Sequence, residues 1–420
     1  MPGAHRRVVT TSVNVPLEEG HLPSTTAYRR IVAALFAAGL ATFTLLYSTQ
    51  AILPELSAHF GVSTEASTLT VSVTTLGLGA ALLVAGPISE IRGRTGLIHA
   101  SLLASSLVAA ACALAPNWTT LLALRLAEGV VLAGLPAVAT TYLREELHPS
   151  AQARAAGLYI GGTALGGMTG RLLTGGIAEL AGWRWALAAA AGLSLLCAGA
   201  VRVLLPASAH FTPAAPGARS LLRATARAFS DRALIALYGI GGVSAGALVA
   251  VFNTLGFRLG DAPFHLGVAV ASLVFLVYPV GTVSSTLFGR LAGRLGRRTV
   301  LPFGAALAVG GTLLTLPSTL PTLILGLALL VAGFFAVHGV ASGWVPARAH
   351  AGGASTAQAA SLYLFTYYLG SSVFGSLAGT AWTDDAWPGV VALSALLLCA
   401  AGLLALVLRR TPTLLEAAAR

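Results

Sequence analysis

Two stretches of the sequence repeat one another at a separation of about 204 residues. The matched pairs are Tyr159/Tyr363, Gly166/Gly370 and Gly175/Gly379. Near the same offset the chain also matches Gly86/Gly289, Gly93/Gly296 and Arg94/Arg297. The repeat therefore predicts a duplicated chain of two similar halves, an arrangement that many membrane transporters use to form a site between the halves.

Long apolar runs alternate with short polar segments along the whole chain. Hydrophobic residues make up 56% of the 420 residues and charged residues only 9%, whereas a soluble domain carries about 25% charge. Each run is long enough to cross about 30 Å of hydrocarbon as a helix. We therefore predict an all-α membrane protein with twelve transmembrane helices in two pseudo-symmetric six-helix bundles. The predicted spans, numbered 1 to 12, cover residues 31–52, 66–87, 97–115, 119–142, 152–177, 185–204, 233–256, 266–288, 299–317, 320–344, 356–379 and 388–408.

The arginines are distributed unevenly between the two sides of these spans. All 25 basic residues are arginine, and 21 of them lie on the side predicted for both termini, against two on the other side. Because cytoplasmic loops carry the excess of basic residues, we expect both termini in the cytoplasm and a bacterial cytoplasmic (inner) membrane around the spans. The net charge of +11 therefore indicates a lipid bilayer as the partner of the basic residues. Nucleic acid is not expected as a partner.

The sequence divides into five predicted segments. Residues 1–30 are predicted to be a disordered cytoplasmic tail and residues 409–420 a cytoplasmic C-terminal tail. Residues 31–204 and 233–408 are the predicted six-helix bundles, and residues 205–232 are the cytoplasmic central loop. Basic and apolar residues recur at helical spacing from Arg219 to Phe229, which favours an amphipathic helix on the inner membrane surface. A flexible linker is the alternative for this loop.

Two loops contain a related glycine- and arginine-rich sequence, at residues 86–94 between spans 2 and 3 and at residues 289–298 between spans 8 and 9. It resembles the loop signature of the major facilitator superfamily, in which a glycine and an acid precede basic residues around a second glycine. The second copy has Gly293 in place of the acid, and the first has Ile91 where a basic residue is usual. The resemblance covers residues 31–408 and implies the twelve-span fold and alternating-access transport.

Further sequences are similar to the YnfM-type permeases, a branch also described as arabinose-efflux-like or drug-efflux-like. They are Tyr47-Ser48-Thr49-Gln50 with Leu53-Pro54, Ala133-Gly134-Leu135-Pro136-Ala137, Tyr142 with Glu145-Glu146, Phe252-Asn253 with Gly256-Phe257-Arg258, and Tyr363 with Tyr367-Tyr368-Leu369-Gly370-Ser371-Ser372. This likeness implies efflux.

The first loop predicts a latch between the halves. Glu90 can lie near the start of span 11, where Ser355 or Thr356 can cap the helix and the helix dipole favours an acid. Such a contact would stabilise the outward-open state. Its repeat position is Gly293, which has no charge, so we expect one asymmetric latch. The residues assigned to the latch are Gly86, Glu90, Gly93, Arg94, Glu145, Arg294, Arg297 and Arg298. The alternative is that these charges only face water at the loops.

Three charged residues fall well inside predicted spans: Arg125 and Glu128 in span 4, and Arg171 in span 5. Ionisable residues within the membrane are costly and mark functional sites, so we assign proton coupling to these three residues, with Glu128 as the proton carrier. The alternative is a permanent Arg125–Glu128 pair that only holds span 4. His338 is a second, weaker candidate. The residues at the repeat positions of the three charges are Leu329, Ala332 and Gly375.

Span 5 also resembles the glycine-rich antiporter motif of the superfamily, with Arg171 in place of the usual proline. Its glycines are Gly166, Gly170, Gly175 and Gly176. Since glycines let helices approach closely, we expect span 5 to pack on a helix of the second half.

The predicted substrate-binding residues lie on spans that line the cavity in the superfamily. Gln50 and Asn253 occupy equivalent places on spans 1 and 7 and can hydrogen-bond a solute. Aromatic residues offer stacking surface, and those assigned to the site are Tyr47, Tyr159, Tyr363 and Tyr367. Ordinary helix packing is the alternative for each tyrosine.

These observations predict a secondary active transporter that exports a small organic or drug-like solute by proton antiport. A proton-coupled importer (symporter) of a sugar or organic metabolite is the first alternative, and a non-transporting receptor is the second. The sequence contains no nucleophile–base pair, metal cluster or phosphate loop, so an enzyme is not expected. We expect a monomer whose partners are a small molecule and protons, with no cofactor beyond the proton gradient.

Overall fold

The computed structural model describes residues 20–209, 211, 213 and 217–411. The predicted tails lie outside these residues apart from 20–30 and 409–411. Helices of the first half are Thr26–Leu46, Leu53–Phe60, Thr64–Arg92, Arg94–Ala113, Trp118–Leu132, Gly134–Glu146, Pro149–Ala181 and Trp183–Leu204. After a further helix at Ala218–Ser230, the second half comprises Arg232–Gly260, Val268–Ser272, Tyr278–Leu295, Arg297–Leu314, Leu320–Ala351 and Thr356–Val407. Short 3-10 turns lie at Gln50–Ile52, Leu273–Val277 and Leu408–Arg410.

The described residues contain nine helical stretches that are long and apolar enough to cross a membrane. One of these, Thr356–Arg410, comprises spans 11 and 12, because the backbone at Asp385 and Ala386 is not helical. Spans 5 and 9 are the helices Pro149–Ala181 and Arg297–Leu314. The fold is therefore an all-helical membrane protein with twelve membrane helices, as the sequence predicted.

The internal repeat is visible in the backbone where consecutive helices join. Gly93 and Gly296, which are repeat partners, both have positive φ angles, +91° and +84°, at the turns after spans 2 and 8. Gly182 and Ala386 are also separated by the repeat offset, and both again have positive φ, +86° and +47°. Each pair of helices turns sharply within a residue or two, which a left-handed backbone conformation allows.

The N-terminal segment differs from its prediction. Span 1 begins at Thr26 rather than at residue 31, with Thr25 as the N-cap that accepts a hydrogen bond from Tyr28. Ahead of it, the backbone amide of His21 donates to the carbonyl of Glu146 over 2.9 Å. Residues 20–30 therefore do not belong to a disordered tail, because the backbone polar groups of this segment bond to the end of span 4.

Span 5 packs on span 8 of the second half, as expected, but only one of its four motif glycines makes that contact. A Cβ on Gly166 would overlap the carbonyl oxygen of Leu40, and one on Gly170 would overlap that of Thr44, so both glycines face span 1 of the same half. Of the four glycines, Gly175 alone faces the second half, where Ser272 of span 8 would meet its Cβ at 2.5 Å. Glycines four apart lie on one helix face, and that face is turned toward span 1.

The two halves touch one another on the face opposite the termini. At the end of span 5 and the start of span 8, Glu179 Oε2 accepts a hydrogen bond from the amide of Ala269 over 2.7 Å. Glu65 at the start of span 2 packs on Gly379 at the end of span 11, and Pro54 packs on Gly256. A cavity of about 10 Å³ next to Gln50 lies between the halves on this side, room for about one water molecule. This face is therefore closed.

Candidate functional site

Arg125 and Glu128 form a buried ion pair inside span 4. Arg125 Nη1 donates to Glu128 Oε2 over 2.7 Å, and the side chains are 1% and 0% exposed. The thiol of Cys112 on span 3 lies 3.6 Å from the same oxygen. The second carboxylate oxygen, Oε1, is buried and has no hydrogen-bond partner among the described residues. A buried polar oxygen is normally satisfied, so this oxygen is a place where a proton could reside.

The same arginine holds the end of the first helix of span 1. Its Nη2 donates to the carbonyl of Leu46 over 3.0 Å, and its Nη1 to the carbonyl of Leu45 over 3.1 Å. Nη1 also reaches Ser48 Oγ at 3.3 Å, and Nε donates to the carbonyl of Thr70 on span 2. The last carbonyls of a helix lack intrahelical partners. Arg125 therefore caps the point where the helix of span 1 breaks.

The break in span 1 leads directly to a polar link between the halves. Gln50, in the 3-10 turn, donates from Nε2 to Asn253 Oδ1 on span 7 over 2.6 Å. Asn253 in turn donates from Nδ2 to the carbonyl of Gly375 on span 11 over 3.2 Å. All of these groups are buried. The two residues predicted from their equivalent places on spans 1 and 7 thus contact each other across the interface.

Arg171 lies in this link and not beside Glu128. Its Nε donates to Gln50 Oε1 over 2.6 Å, its Nη1 to the carbonyl of Gly167 over 2.7 Å, and its Nη2 to the hydroxyl of Tyr278 over 3.2 Å. Among the described residues, the carboxylate of Glu128 therefore pairs with Arg125 and with no second arginine. The comparable depths of Arg171 and Glu128 in the sequence did not show that their side chains point to different neighbours.

Aromatic residues of the second half form a continuous cluster near the interface. The hydroxyl of Tyr363 lies 3.0 Å from His338 Nδ1. The ring of His338 stacks on Phe334 at 5.7 Å between centroids and lies 5.0 Å from the ring of Tyr367. Tyr363 and Tyr367 therefore lie together, with His338 as their neighbour. Tyr159 packs in an apolar cluster of the first half that includes Tyr28 and Tyr142.

Sequence reasoning missed Tyr278 and Phe275 as residues of this site. Both belong to span 8, and both lie against the guanidinium of Arg171, whose Cζ is 4.5 Å and 5.0 Å from their ring centroids. The only signal in the sequence is the Tyr278–Pro279 step inside an apolar run. That signal is weak, because many membrane helices contain a tyrosine and a proline. Packing of span 8 on span 5 is what makes the contact.

Comparison with known proteins agrees with this architecture. The family model described as Major Facilitator Superfamily matches residues 33–284. The chain belongs to the major facilitator superfamily. Proteins of this superfamily are secondary transporters rather than enzymes, and the chain is accordingly a multi-pass membrane transporter.

Relatives of this transporter span nearly its whole length. It is 40% identical over 378 residues to the uncharacterized MFS-type transporter YybF of Bacillus subtilis (strain 168), covering 90% of this chain and 93% of that one. It is 41% identical over 386 residues to the inner membrane transport protein YnfM of Escherichia coli (strain K12), covering 92% of each chain. The similarity to the YnfM-type permeases inferred from short sequences is thereby confirmed.

Solved structures match the fold of this transporter at low sequence identity. A bacterial homologue of the human lysosomal transporter Spinster, in an inward-facing and unoccupied conformation, aligns with a TM-score of 0.75 and 15% identity over 93% of this chain and 98% of that one. A mutant of the nucleoside transporter NupG aligns with a TM-score of 0.69 and 15% identity over 90% of this chain and 99% of that one. These likenesses concern the fold alone.

The predicted latch residues of this transporter lie on three loops, with Glu145 at the end of span 4 and the others in the loops between spans 2 and 3 and between spans 8 and 9. Arg94 Nη2 pairs with Glu145 Oε1 of the same half over 2.9 Å, and Arg94 also contacts Ser89. Arg298 donates to the carbonyls of Arg409 and Thr411. Glu145 therefore does not reach the second loop in this structure.

The remaining latch positions have few neighbours. Among the described residues, none forms a hydrogen bond or ion pair with Glu90, and a Cβ on Gly86 would meet no atom within 4 Å. Arg294 on the second loop is exposed, and Arg297 is half-buried. At the start of span 11, Ser355 caps the helix by accepting from the amide of Gln358. The closed face is opposite these loops, so the latch would form only in another state.

Proposed function

We propose that this transporter exports a small organic solute in exchange for protons by alternating access, as a monomer in the bacterial cytoplasmic membrane with both termini in the cytoplasm. The excess of arginine on the side of the termini supports this orientation. Efflux is supported by the efflux pump radE of Floropilus chiversii, which is 31% identical over 134 residues, 32% of this chain and 25% of that one.

One observation supports the proposal of proton coupling. The Arg125–Glu128 pair is bonded to the end of span 1 at the point where its helix breaks. Arg125 binds the carbonyls of Leu45 and Leu46, and Gln50 lies a few residues further on and bonds to Asn253 of the other half. A change in the charge of Glu128 would therefore act on the segment that joins the halves. The physical basis for coupling two sites is a two-state element whose equilibrium both sites bias.

The proposed cycle follows from these contacts. In the state described here, Glu128 is paired with Arg125, and the face opposite the termini is closed. In an exchanger the proton moves opposite to the solute, so this is the state that has released its proton to the side of the termini and can load solute there. Loading of the solute separates Gln50 from Asn253, and the closed face opens. A proton from the opened side then binds Glu128 at its unpartnered oxygen and removes the negative charge that holds Arg125, so the grip of Arg125 on the end of span 1 changes and the face closes again. Loss of the proton to the side of the termini restores the pair.

The latch completes the cycle at the side of the termini. When the closed face opens, the loops between spans 2 and 3 and between spans 8 and 9 approach the opposite half. Glu90 would then reach the N-terminal end of span 11, where an acid is favoured by about 0.3–1 kcal/mol. This interaction is available only in the outward-open state. It therefore stabilises that state and offsets the loss of the contacts on the opposite face.

The test is transport in liposomes that contain the purified protein. Solute is chosen by screening for compounds that raise its melting temperature, and an imposed pH gradient drives transport. We expect Glu128→Gln to reduce gradient-driven transport at least about tenfold while solute exchange without a gradient continues, because the amide cannot carry a proton. The matched control is Asp384→Asn, an exposed acid in the turn between spans 11 and 12. Full gradient-driven transport by Glu128→Gln would eliminate Glu128 as the carrier.

A further inference from the structure

Arg171 is a buried positive charge whose partners are all uncharged. The residue is 1% exposed, and its hydrogen bonds go to an amide oxygen of Gln50, a backbone carbonyl of Gly167 and the hydroxyl of Tyr278. Among the residues that the structure describes, no carboxylate pairs with it, whereas Arg125 pairs with Glu128. An uncompensated charge inside a membrane is costly. Its presence at the interface between the halves calls for a ligand of opposite charge.

The guanidinium has donors to spare for such a ligand. Arginine has five N–H groups in a planar fork, and the described contacts of Arg171 occupy three of them, one on each nitrogen. One N–H therefore remains on each terminal nitrogen. Two such donors match the two oxygens of a carboxylate, the geometry for which arginine is better suited than lysine.

Aromatic rings surround the charged group. The Cζ atom of Arg171 is 4.1 Å from the ring centroid of Tyr47, 4.5 Å from that of Tyr278 and 5.0 Å from that of Phe275. From Tyr278, adjacent aromatic rings continue to the cluster of the second half; they are Phe335, Phe334 and Tyr367. These surfaces favour a ligand whose body is aromatic or apolar.

The repeat position of Arg171 holds no second arginine, so the protein offers only one positive charge to a ligand at this interface among the described residues. Gly375 occupies the repeat position of Arg171, and its carbonyl accepts from Asn253. A Cβ on Gly375 would lie 2.9 Å from Val249 Cγ1 and 3.0 Å from Asn253 Nδ2, so a second arginine does not fit there. The other deep arginine, Arg125, is already neutralised by Glu128. Within the described residues, the interface thus offers a single uncompensated positive charge.

We propose that Arg171 binds the carboxylate of an organic monoanion with an aromatic or apolar body. This inference rests on the proposed function, since the monoanion would be the transported solute. Binding would draw Arg171 away from Tyr278 of span 8, its hydrogen-bond partner in the second half, and from Gln50 of span 1, which itself bonds to Asn253 of the second half. Loading of the solute would therefore weaken the closed face, which is what alternating access requires of a substrate.

The test compares acids with their own amides on the purified full-length protein in detergent. Thermal unfolding is followed with benzoate, phenylacetate and hexanoate, and with benzamide, phenylacetamide and hexanamide. We expect the acids to bind about tenfold or more tightly than the amides, because only the acid supplies a charge-assisted, bidentate pair. Arg171→Gln abolishes the preference, and Arg154→Gln, an exposed arginine on the same helix, keeps it. Equal stabilisation by acids and amides, or none by either, overturns the inference.

A second variant keeps the test decisive if Arg171→Gln does not fold. Gln50→Glu places a carboxylate where an amide oxygen already lies 2.6 Å from Arg171 Nε. The internal carboxylate competes with the ligand, so we expect a higher melting temperature without ligand and loss of the tenfold preference for acids. An acid preference that survives Gln50→Glu overturns the inference as well.

The binding test and the transport test fail separately. Equilibrium binding needs no proton gradient, so acid-selective binding without proton-driven flux supports the anion site and removes only the proposed function. Proton-driven flux of a neutral solute, without selectivity for acids, leaves the proposed function standing and overturns the anion site.

Discussion

At the scale of the residue, the two deep arginines have opposite electrostatic environments. Arg125 is neutralised by Glu128 and makes further bonds to backbone carbonyls of spans 1 and 2. Arg171 is solvated by neutral oxygens and aromatic faces. Both side chains are about equally buried, so burial does not separate their roles. The identity of the neighbouring groups separates their roles. Arg125 is part of an ion pair, whereas Arg171 is able to receive a ligand.

Removing one partner of the buried Arg125–Glu128 pair is expected to lower the stability of the protein more than removing both partners. Arg125→Leu leaves Glu128 buried without a charged partner, which destabilises the protein by about 3–5 kcal/mol. The double variant Arg125→Leu/Glu128→Ala copies the residues at the repeat positions, Leu329 and Ala332, and should recover part of this loss. Thermal unfolding of the single and double variants in detergent measures the coupling. A double variant no more stable than Arg125→Leu would contradict it.

At the scale of the element, span 1 is interrupted where the site is formed. Its first helix ends at Leu46, and a 3-10 turn at Gln50–Ile52 precedes the second helix. The interruption frees carbonyls that Arg125 binds, and it turns Gln50 toward span 7. A continuous helix would satisfy these carbonyls internally. The break therefore connects the ion pair of one half to the polar link between the halves.

The turn between spans 11 and 12 contains a strained residue. Ala386 has φ +47°, a conformation that alanine rarely adopts, while Gly182 has φ +86° at the corresponding turn of the first half. Ala386→Gly should stabilise the protein by about 1 kcal/mol, and Gly182→Ala should destabilise it by a similar amount or more. Melting temperatures of the two variants provide the measurement. If both changes shift the melting temperature in the same direction, the backbone explanation is wrong.

At the scale of the whole molecule, the halves contact one another on the face opposite the termini and along spans 2 and 11, where Ser372 donates to the carbonyl of Ser72. The hydrogen bond from Ala269 to Glu179 and the packing of Gly175 on Ser272 lie near the ends of spans 5 and 8. The loops that contain Glu90 and Gly293 belong to the other side of the bundle. Alternating access would exchange these two sets of contacts, and the proposed latch would let the loops set the balance between the two states.

Loss of the latch should shift the protein toward the closed face described here. A cysteine pair at Glu179 and Ala269 can be crosslinked only when this face is closed, and replacing Cys197 and Cys399 removes the more accessible native thiols. In this background we expect Glu90→Gln to raise the crosslinking yield about two- to fivefold, the ratio for a lost interaction of about 0.5–1 kcal/mol. Asp384→Asn is the control. An unchanged yield with Glu90→Gln would exclude the latch.

The fold class could be predicted from the sequence, because long apolar runs can cross a bilayer only as helices that satisfy their own backbone. The repeat then predicted the two halves, and the loop motifs predicted the family. The buried charges Arg125, Glu128 and Arg171 could also be located, since ionisable residues stand out in apolar segments. Gln50 and Asn253 were placed at equivalent positions, but no pattern showed that they bond to each other.

Which charge meets which partner depended on the packing of the helices. Arg125 and Glu128 are three apart on one helix, so their pairing was local and predictable. The neighbours of Arg171 come from spans 1 and 8, far away in the sequence, and depend on how spans 5 and 8 pack. Side-chain direction and helix rotation set such contacts, and neither is encoded in the depth of a residue along its span. A helix fixes the neighbours within its own turns, whereas the contacts of this site form between helices that are distant in the chain.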